Sequence, residues 1–270
     1  MTATSFHFGE GDRTLYGVYH APSVRRRRPL AVLLLNPFGE EAIRSYRVQK
    51  IIAERLAALG AAVLRFDYYG AGDSAGECVE TSIDGMQTDI LTAHEELIDL
   101  SNIRRVAWCG LGLAVPVALS AFSSANVNLA KFLGWDPVIS GSEYIDDLTA
   151  SHVKYLADAL DMPERRIRRE LSMQLTEVMG FGVSESLISD VVDLELNGSD
   201  LDVCDDVALI GRKSSGAFRK LHGQLTSTAS SVSIEFDESV TWNSHQALNS
   251  IIVPNDSIAA IVRALADGDE

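Results

Sequence analysis

Residues 110–114 read Gly-Leu-Gly-Leu-Ala, between an apolar run that ends at Cys109 and a segment of helical spacing. A strand-to-helix turn of pattern Gly-x-Ser-x-Gly holds a nucleophilic serine in a strained conformation, its hydroxyl exposed above the sheet beside an oxyanion hole. In this chain the middle position is Gly112. Glycine adopts such dihedrals at little steric cost. The bend can therefore persist while the serine chemistry cannot.

Other residues invite chemistry and are each read more simply. Cys109 lies three residues before Gly112, but on the strand that feeds the turn it is expected to be buried, and buried thiols are inert packing. Ser74 follows Gly72-Asp73 and reads as a turn or cap residue. Asp67, at the end of one apolar run, and Asp136, in Trp-Asp-Pro, are expected at the carboxyl edge of a parallel sheet, where ligands bind, with structural hydrogen bonding as the simpler role. Gly70-Ala71-Gly72 does not match a dinucleotide fingerprint, since the third glycine is out of register. His94 and His152 read as packing residues. No pair of histidines at i, i+4 with an acidic partner and no CxxC occurs, so neither a metal nor another cofactor is expected.

These residues need strands and crossover helices to position them, and short apolar runs alternate with helical patterns along the chain. Residues 6–8 and 15–20 predict an opening antiparallel hairpin. Strands are expected at 30–35, 62–66, 105–109, 129–133, 207–211 and 232–236, and core helices at 83–100, 113–122, 217–225 and 258–266, with one more closing at Gly60. Between 140 and 201 the pattern turns helical and charged. It predicts helices at 145–160, 164–178 and 184–194, an insertion that sits over the strand ends as a lid. The expected organisation is a first core part at 1–139, a helical lid at 140–201 and a second core part at 202–270.

Composition bounds the rest. The 270 residues are 46% hydrophobic, enough for one sizeable core. Thirty-eight acidic against 23 basic residues give a net charge of −15, which repels phosphate backbones and argues against nucleic acid. The basic run at 25–28 reads as a solvated turn. Three scattered cysteines, Cys78, Cys109 and Cys204, fit no disulfide framework and suit a reducing cytoplasm. Neither a secretory leader nor an apolar run of membrane-spanning length is read from the sequence, so no membrane partner is expected.

Three segments carry a family resemblance: Leu-Leu-Asn-Pro-Phe-Gly-Glu-Glu at 34–41, Leu-Arg-Phe-Asp-Tyr-Tyr-Gly-Ala-Gly-Asp-Ser-Ala-Gly at 64–76, and Cys-Gly-Leu-Gly-Leu-Ala at 109–114. The chain resembles the α/β-hydrolase superfamily, within it the serine aminopeptidase-like (S33) branch, over nearly its whole length. Residues 134–141 and 177–182 further resemble a subgroup of bacterial hydrolase-like proteins, met beside exosortase systems and natural-product pathways, that commonly lack the elbow serine. The resemblance implies an α/β fold with a mostly parallel, doubly wound sheet and a helical lid insertion. It puts the nucleophile at Gly112 and the acid in the loop 211–216, which holds no carboxylate. The histidine falls before the last helix, where His245 is the candidate, though it has neither a serine to deprotonate nor an acid to orient it. The oxyanion hole falls on the amides of Phe38 and Leu113. Such donors favour a carbonyl or carboxylate, since a buried donor left unpaired costs about 1–3 kcal/mol, although a water or protein carbonyl satisfies them equally well.

Three functions follow as expectations. The first is a pseudoenzyme that binds a small acyl or carbonyl ligand, a carrier-bound intermediate or a protein partner in a biosynthetic pathway. The second is a non-hydrolytic enzyme, an isomerase, lyase, cyclase or acyltransferase, that uses the oxyanion hole with His245 or a lid residue. The third is ester, thioester or amide hydrolysis through an unrecognised nucleophile.

Overall fold

The structure, a computed structural model, describes residues 3–27, 29–125, 127–171, 175–202, 205–212, 214–225, 231–236, 242 and 253–266. The chain opens with strands β1 (Ala3–Phe8) and β2 (Leu15–His20), paired antiparallel as the alternation of residues 15–20 predicts. Three crossover units then follow: β3 (Ala31–Leu35), α1 (Glu40–Ala58), β4 (Ala62–Asp67), α2 (Ile83–Ser101), β5 (Val106–Leu111), α3 (Ala114–Ser124) and β6 (Leu129–Trp135). After an inserted region come β9 (Val207–Arg212), α7 (Gly216–Leu225), β10 (Ser231–Phe236) and α8 (Asn255–Ala266). The strands form one sheet in the order β1-β2-β4-β3-β5-β6-β9-β10, parallel from β4 onward, with β2 antiparallel to β4.

Strand β3 shows why the sheet is covered on both faces. Its side chains are all buried. Ala31, Leu33 and Leu35 point into one hydrophobic cluster with α2 and α3, and Val32 and Leu34 into the opposite one with α1 and α8. A period of two in direction with no polar face is what a central parallel strand requires. Helix α3 is equally apolar and its axis lies in the first cluster. Pro116 falls in its first turn, where an amide has no intrahelical partner in any case. Helix α2 begins at Ser82, whose side chain accepts from the Gly85 amide, and stops at Asn102 in the left-handed conformation.

The insertion contains α4 (Gly141–Leu160), α5 (Glu164–Glu170), the two-stranded ribbon β7 (Glu177–Val178) and β8 (Phe181–Gly182), and α6 (Glu185–Val192). The helix expected over 164–178 is therefore corrected: α5 ends at Glu170, and Glu177 belongs to the ribbon. Met179 and Gly180 both have positive φ, 49° and 93°, the two-residue turn that matches strand twist in a tight hairpin. The Met179 amide donates to His152 Nδ1 at 2.9 Å, which ties the ribbon to α4. Leu148, Val178, Val183, Leu187 and Val191 bring the lid down onto Phe38 and Leu113, the residues that follow β3 and β5. No helix among the described residues is long and apolar enough to cross a membrane.

Candidate functional site

Strand order reverses around β3: the chain steps from β3 to β4 on one side and returns to β5 on the other. A crevice forms outside the carboxyl ends of strands at such a point. Leu35 is in register with Gly110, and Leu111 with Trp135, so the segment after β3, Gly112 and Asp136 all emerge on one edge.

Gly112 turns the chain there with φ 60°. Its amide donates to the Trp135 carbonyl at 3.0 Å, and its own carbonyl accepts from Val115 and Val138, each at 3.2 Å. Three backbone bonds, two to residues 135–138 and one to the start of α3, fix a left-handed conformation that costs an L side chain about 1–2 kcal/mol. Leu113 follows as the N-cap of α3. Among the described residues, neither its amide nor that of Phe38 donates to a backbone carbonyl.

Glu41 borders the space above Gly112. A Cβ built on Gly112 would lie 3.4 Å from Glu41 Oε2 and 3.5 Å from Pro37 Cβ. Glu41 stands in the first turn of α1, where outward-facing amides suit a negative charge. The turn into α1 is made by Gly39, with φ 60° and ψ −131°, a region open essentially to glycine. From α4, the Tyr144 hydroxyl donates to Glu41 Oε2 at 3.0 Å. Burial, followed by the neighbouring carboxylate, pushes the Tyr144 phenol well above its ordinary value, so it stays a neutral donor.

Glu41, Gly112 and Tyr144 line a cleft of about 560 Å³ between the strand ends and the lid helices α4 and α5. Its wall carries Glu143, Asp147 and Lys154 from α4, Glu164 and Arg168 from α5, and the facing residues Asp136 and Arg212. Asp136 Oδ1 accepts from Arg212 Nε at 3.0 Å. Burial pushes the Asp136 carboxyl up, while the Arg212 guanidinium acts in the opposite sense. Asp136 also has φ 43°, uncommon outside glycine and tolerated best by Asp and Asn. A second, more apolar cavity of about 500 Å³ lies across the Pro37–Phe38 segment, against Asp67, Tyr68 and the loop at 70–73. There Asn36 Nδ2 donates to the Phe66 carbonyl at 2.6 Å and to Asp67 Oδ1 at 3.3 Å, and the Asp73 amide donates to Asp67 Oδ2 at 3.2 Å. Among the described residues, no group of three His, Cys, Asp or Glu side chains is arranged to hold a metal ion.

No protein-family model and no curated protein sequence matches the chain. Solved structures do. An esterase of Pyrococcus furiosus superposes over 100% of this chain and 92% of its own with a TM-score of 0.65 at 15% identity. Est1E from Butyrivibrio proteoclasticus, solved with ferulic acid, covers 97% and 96% with a TM-score of 0.64 at 13% identity. The proline iminopeptidase of Mycobacterium smegmatis covers 97% of each chain with a TM-score of 0.59 at 15% identity. The chain has the α/β-hydrolase fold. At these identities the likeness is one of architecture, and residue roles must come from this chain's own geometry.

Within this hydrolase fold, Gly112, Leu113 and Phe38 lie at neighbouring strand ends. His245 lies outside the described residues; Trp242, in the same stretch, is buried edge-on against Trp135 at 5.8 Å and lines the cleft. Cys109 is buried between the sheet and the α1 face, and burial pushes its thiol up to about 12. Ser74 is a turn residue: its hydroxyl donates to the Asp67 carbonyl at 2.6 Å and accepts from the Tyr16 amide at 2.8 Å. His94 is buried and accepts from Trp108 Nε1 at 3.1 Å. Arg212, from the loop without a carboxylate, meets its acid across the sheet edge at Asp136. The sequence reading missed Glu41 and Tyr144. Glu41 stood within the quoted Phe-Gly-Glu-Glu segment, but nothing in one dimension aims it at Gly112, and Tyr144 is about 100 residues away in the lid.

Proposed function

We propose that this protein binds a small acyl or carbonyl compound in the cleft between the lid and Gly112 without hydrolysing it, as a non-hydrolytic member of the α/β-hydrolase fold. The observation that carries this reading is the Glu41 carboxylate standing against Gly112. Hydrolysis through an elbow needs an attacking oxygen and a site that welcomes a developing oxyanion. Glycine removes the oxygen. A carboxylate held a few ångströms away opposes a second negative charge. The cleft borders Gly112 and has the size of a small-molecule site, while Phe38 and Leu113 lie against the apolar side chains of the lid.

The reading extends to the degenerate triad and to a role in a biosynthetic pathway, with a carrier-bound intermediate as one form of the ligand. The likeness of residues 134–141 and 177–182 to elbow-serine-lacking proteins supports it. The test is direct. The purified protein is incubated with a fluorophosphonate serine probe and with p-nitrophenyl butyrate, and native mass spectrometry searches for a co-purified small molecule. No covalent adduct and no turnover above buffer are expected, with a bound mass that is lost on denaturation. Stoichiometric labelling of any serine with ester turnover would overturn the proposal.

A further inference from the structure

Glu41, Tyr144 and Gly112 form an arrangement that binding alone does not require. A carboxylate oxygen sits over the elbow, aimed by a phenol 3.0 Å away, and borders an open cleft of about 560 Å³. The segment that carries Glu41 also carries Phe38, and Leu113 follows Gly112 directly, so base and amides arise from the ends of two adjacent strands. We infer that Glu41 is a catalytic base that removes a proton from the carbon beside a bound carbonyl, converting a small thioester or ketone into its isomer. This rests on the proposed carbonyl-binding cleft.

Charge bookkeeping favours this chemistry over attack by an elbow nucleophile that a separate base deprotonates. When such a nucleophile adds to a carbonyl and its proton goes to another base, the new oxyanion appears beside a carboxylate that keeps its charge. When Glu41 takes a proton, it becomes neutral as the oxygen becomes negative, so the combined charge of base and substrate does not change. The C–H electron pair becomes the C=C bond of the enolate, and the carbonyl π pair moves onto oxygen. Return of the same proton to the opposite face, or to the next carbon of an unsaturated chain, gives an epimer or a shifted double bond. Atoms and electrons balance without a co-reactant. Tyr144 acts as a positioning residue, since its hydroxyl touches Glu41 Oε2. The other charged groups on the cleft wall are the pairs Asp136–Arg212 and Glu164–Arg168 together with Glu143, Asp147 and Lys154.

The experiment follows exchange of the α-protons of S-phenylacetyl-N-acetylcysteamine for deuterium by NMR in D2O, with released thiol measured in parallel. Exchange above buffer is expected with the thioester intact, falling about 100-fold or more in Glu41→Gln, the range for a general base. Tyr144→Phe should keep exchange but move the midpoint of its pH profile up by about one unit, because the carboxylate loses a hydrogen bond that favours its charged form. Absence of exchange in the unaltered protein, or wild-type exchange in a cooperatively unfolding Glu41→Gln, overturns the assignment of the base. If Glu41→Gln does not fold, an unshifted profile in Tyr144→Phe overturns it instead. Thiol release by the unaltered protein would sink the parent reading of a non-hydrolytic cleft; loss of exchange without thiol release sinks only the base.

Discussion

Replacing Gly112 with serine restores the missing hydroxyl and measures what the turn lacks besides an atom. Sterically the site accepts it: the new Cβ meets Glu41 Oε2 at 3.4 Å and Pro37 Cβ at 3.5 Å, ordinary contact distances. The cost is conformational, since φ 60° is held by three backbone bonds and disfavours an L residue by about 1–2 kcal/mol. For a domain near this size each kcal/mol lowers Tm by about 2–4 °C, so a fall of about 2–8 °C is expected by scanning fluorimetry. The new Oγ would lie beside a carboxylate. Efficient attack requires an oriented imidazole and room for an oxyanion, so p-nitrophenyl butyrate turnover should stay within about tenfold of the parent. Ester hydrolysis at the rate of a working esterase, with a burst of p-nitrophenol, would refute the argument and reveal an imidazole and acid already positioned for a serine.

Three further outcomes follow from buried groups. His20 accepts from Arg65 Nε at 3.3 Å, and burial, then the Arg65 charge, lowers its pKa to about 4. The unfolded imidazole titrates near 6.5, so the unfolded state binds more protons between these values. Stability contributed by neutral His20 is fully present above about 6.5 and is lost as pH falls toward 4; urea midpoints should drop between pH 7 and 4.5, and His20→Gln should flatten part of that drop. His94→Ala leaves the Trp108 indole N–H without its acceptor in a fully buried setting, which should cost about 2–4 kcal/mol in urea unfolding from the orphaned donor plus the cavity. Cys109 should resist iodoacetamide at pH 8 until denaturant is added, as its raised thiol and burial demand, with peptide mass spectrometry as the readout.

Much of the architecture was written in local pattern. The all-apolar 31–35, the left-handed stop at Asn102 and the apolar run from Ala114 each specify their own element through period, cap chemistry or burial. The ribbon at 177–182 was not legible, because two-residue strands carry no period and the turn at Met179, with its positive φ, is tied by a hydrogen bond to the distant His152. The same limit applied to Arg212: its loop held no carboxylate, and the partner Asp136 comes from a different strand end.

Composition and spacing alone determined that a strand-to-helix turn occurs at 110–114 and that no serine stands at its summit, because both are properties of consecutive residues. What borders the space above Gly112 was decided only by folding. Glu41 arrives on the first turn of α1 and Tyr144 on α4, some 100 residues on; the register of β3 against β5 and the descent of the lid bring them together. A short-range pattern can encode a bend, but a hydrogen bond between distant segments exists only when the whole sheet and its lid have set their separation.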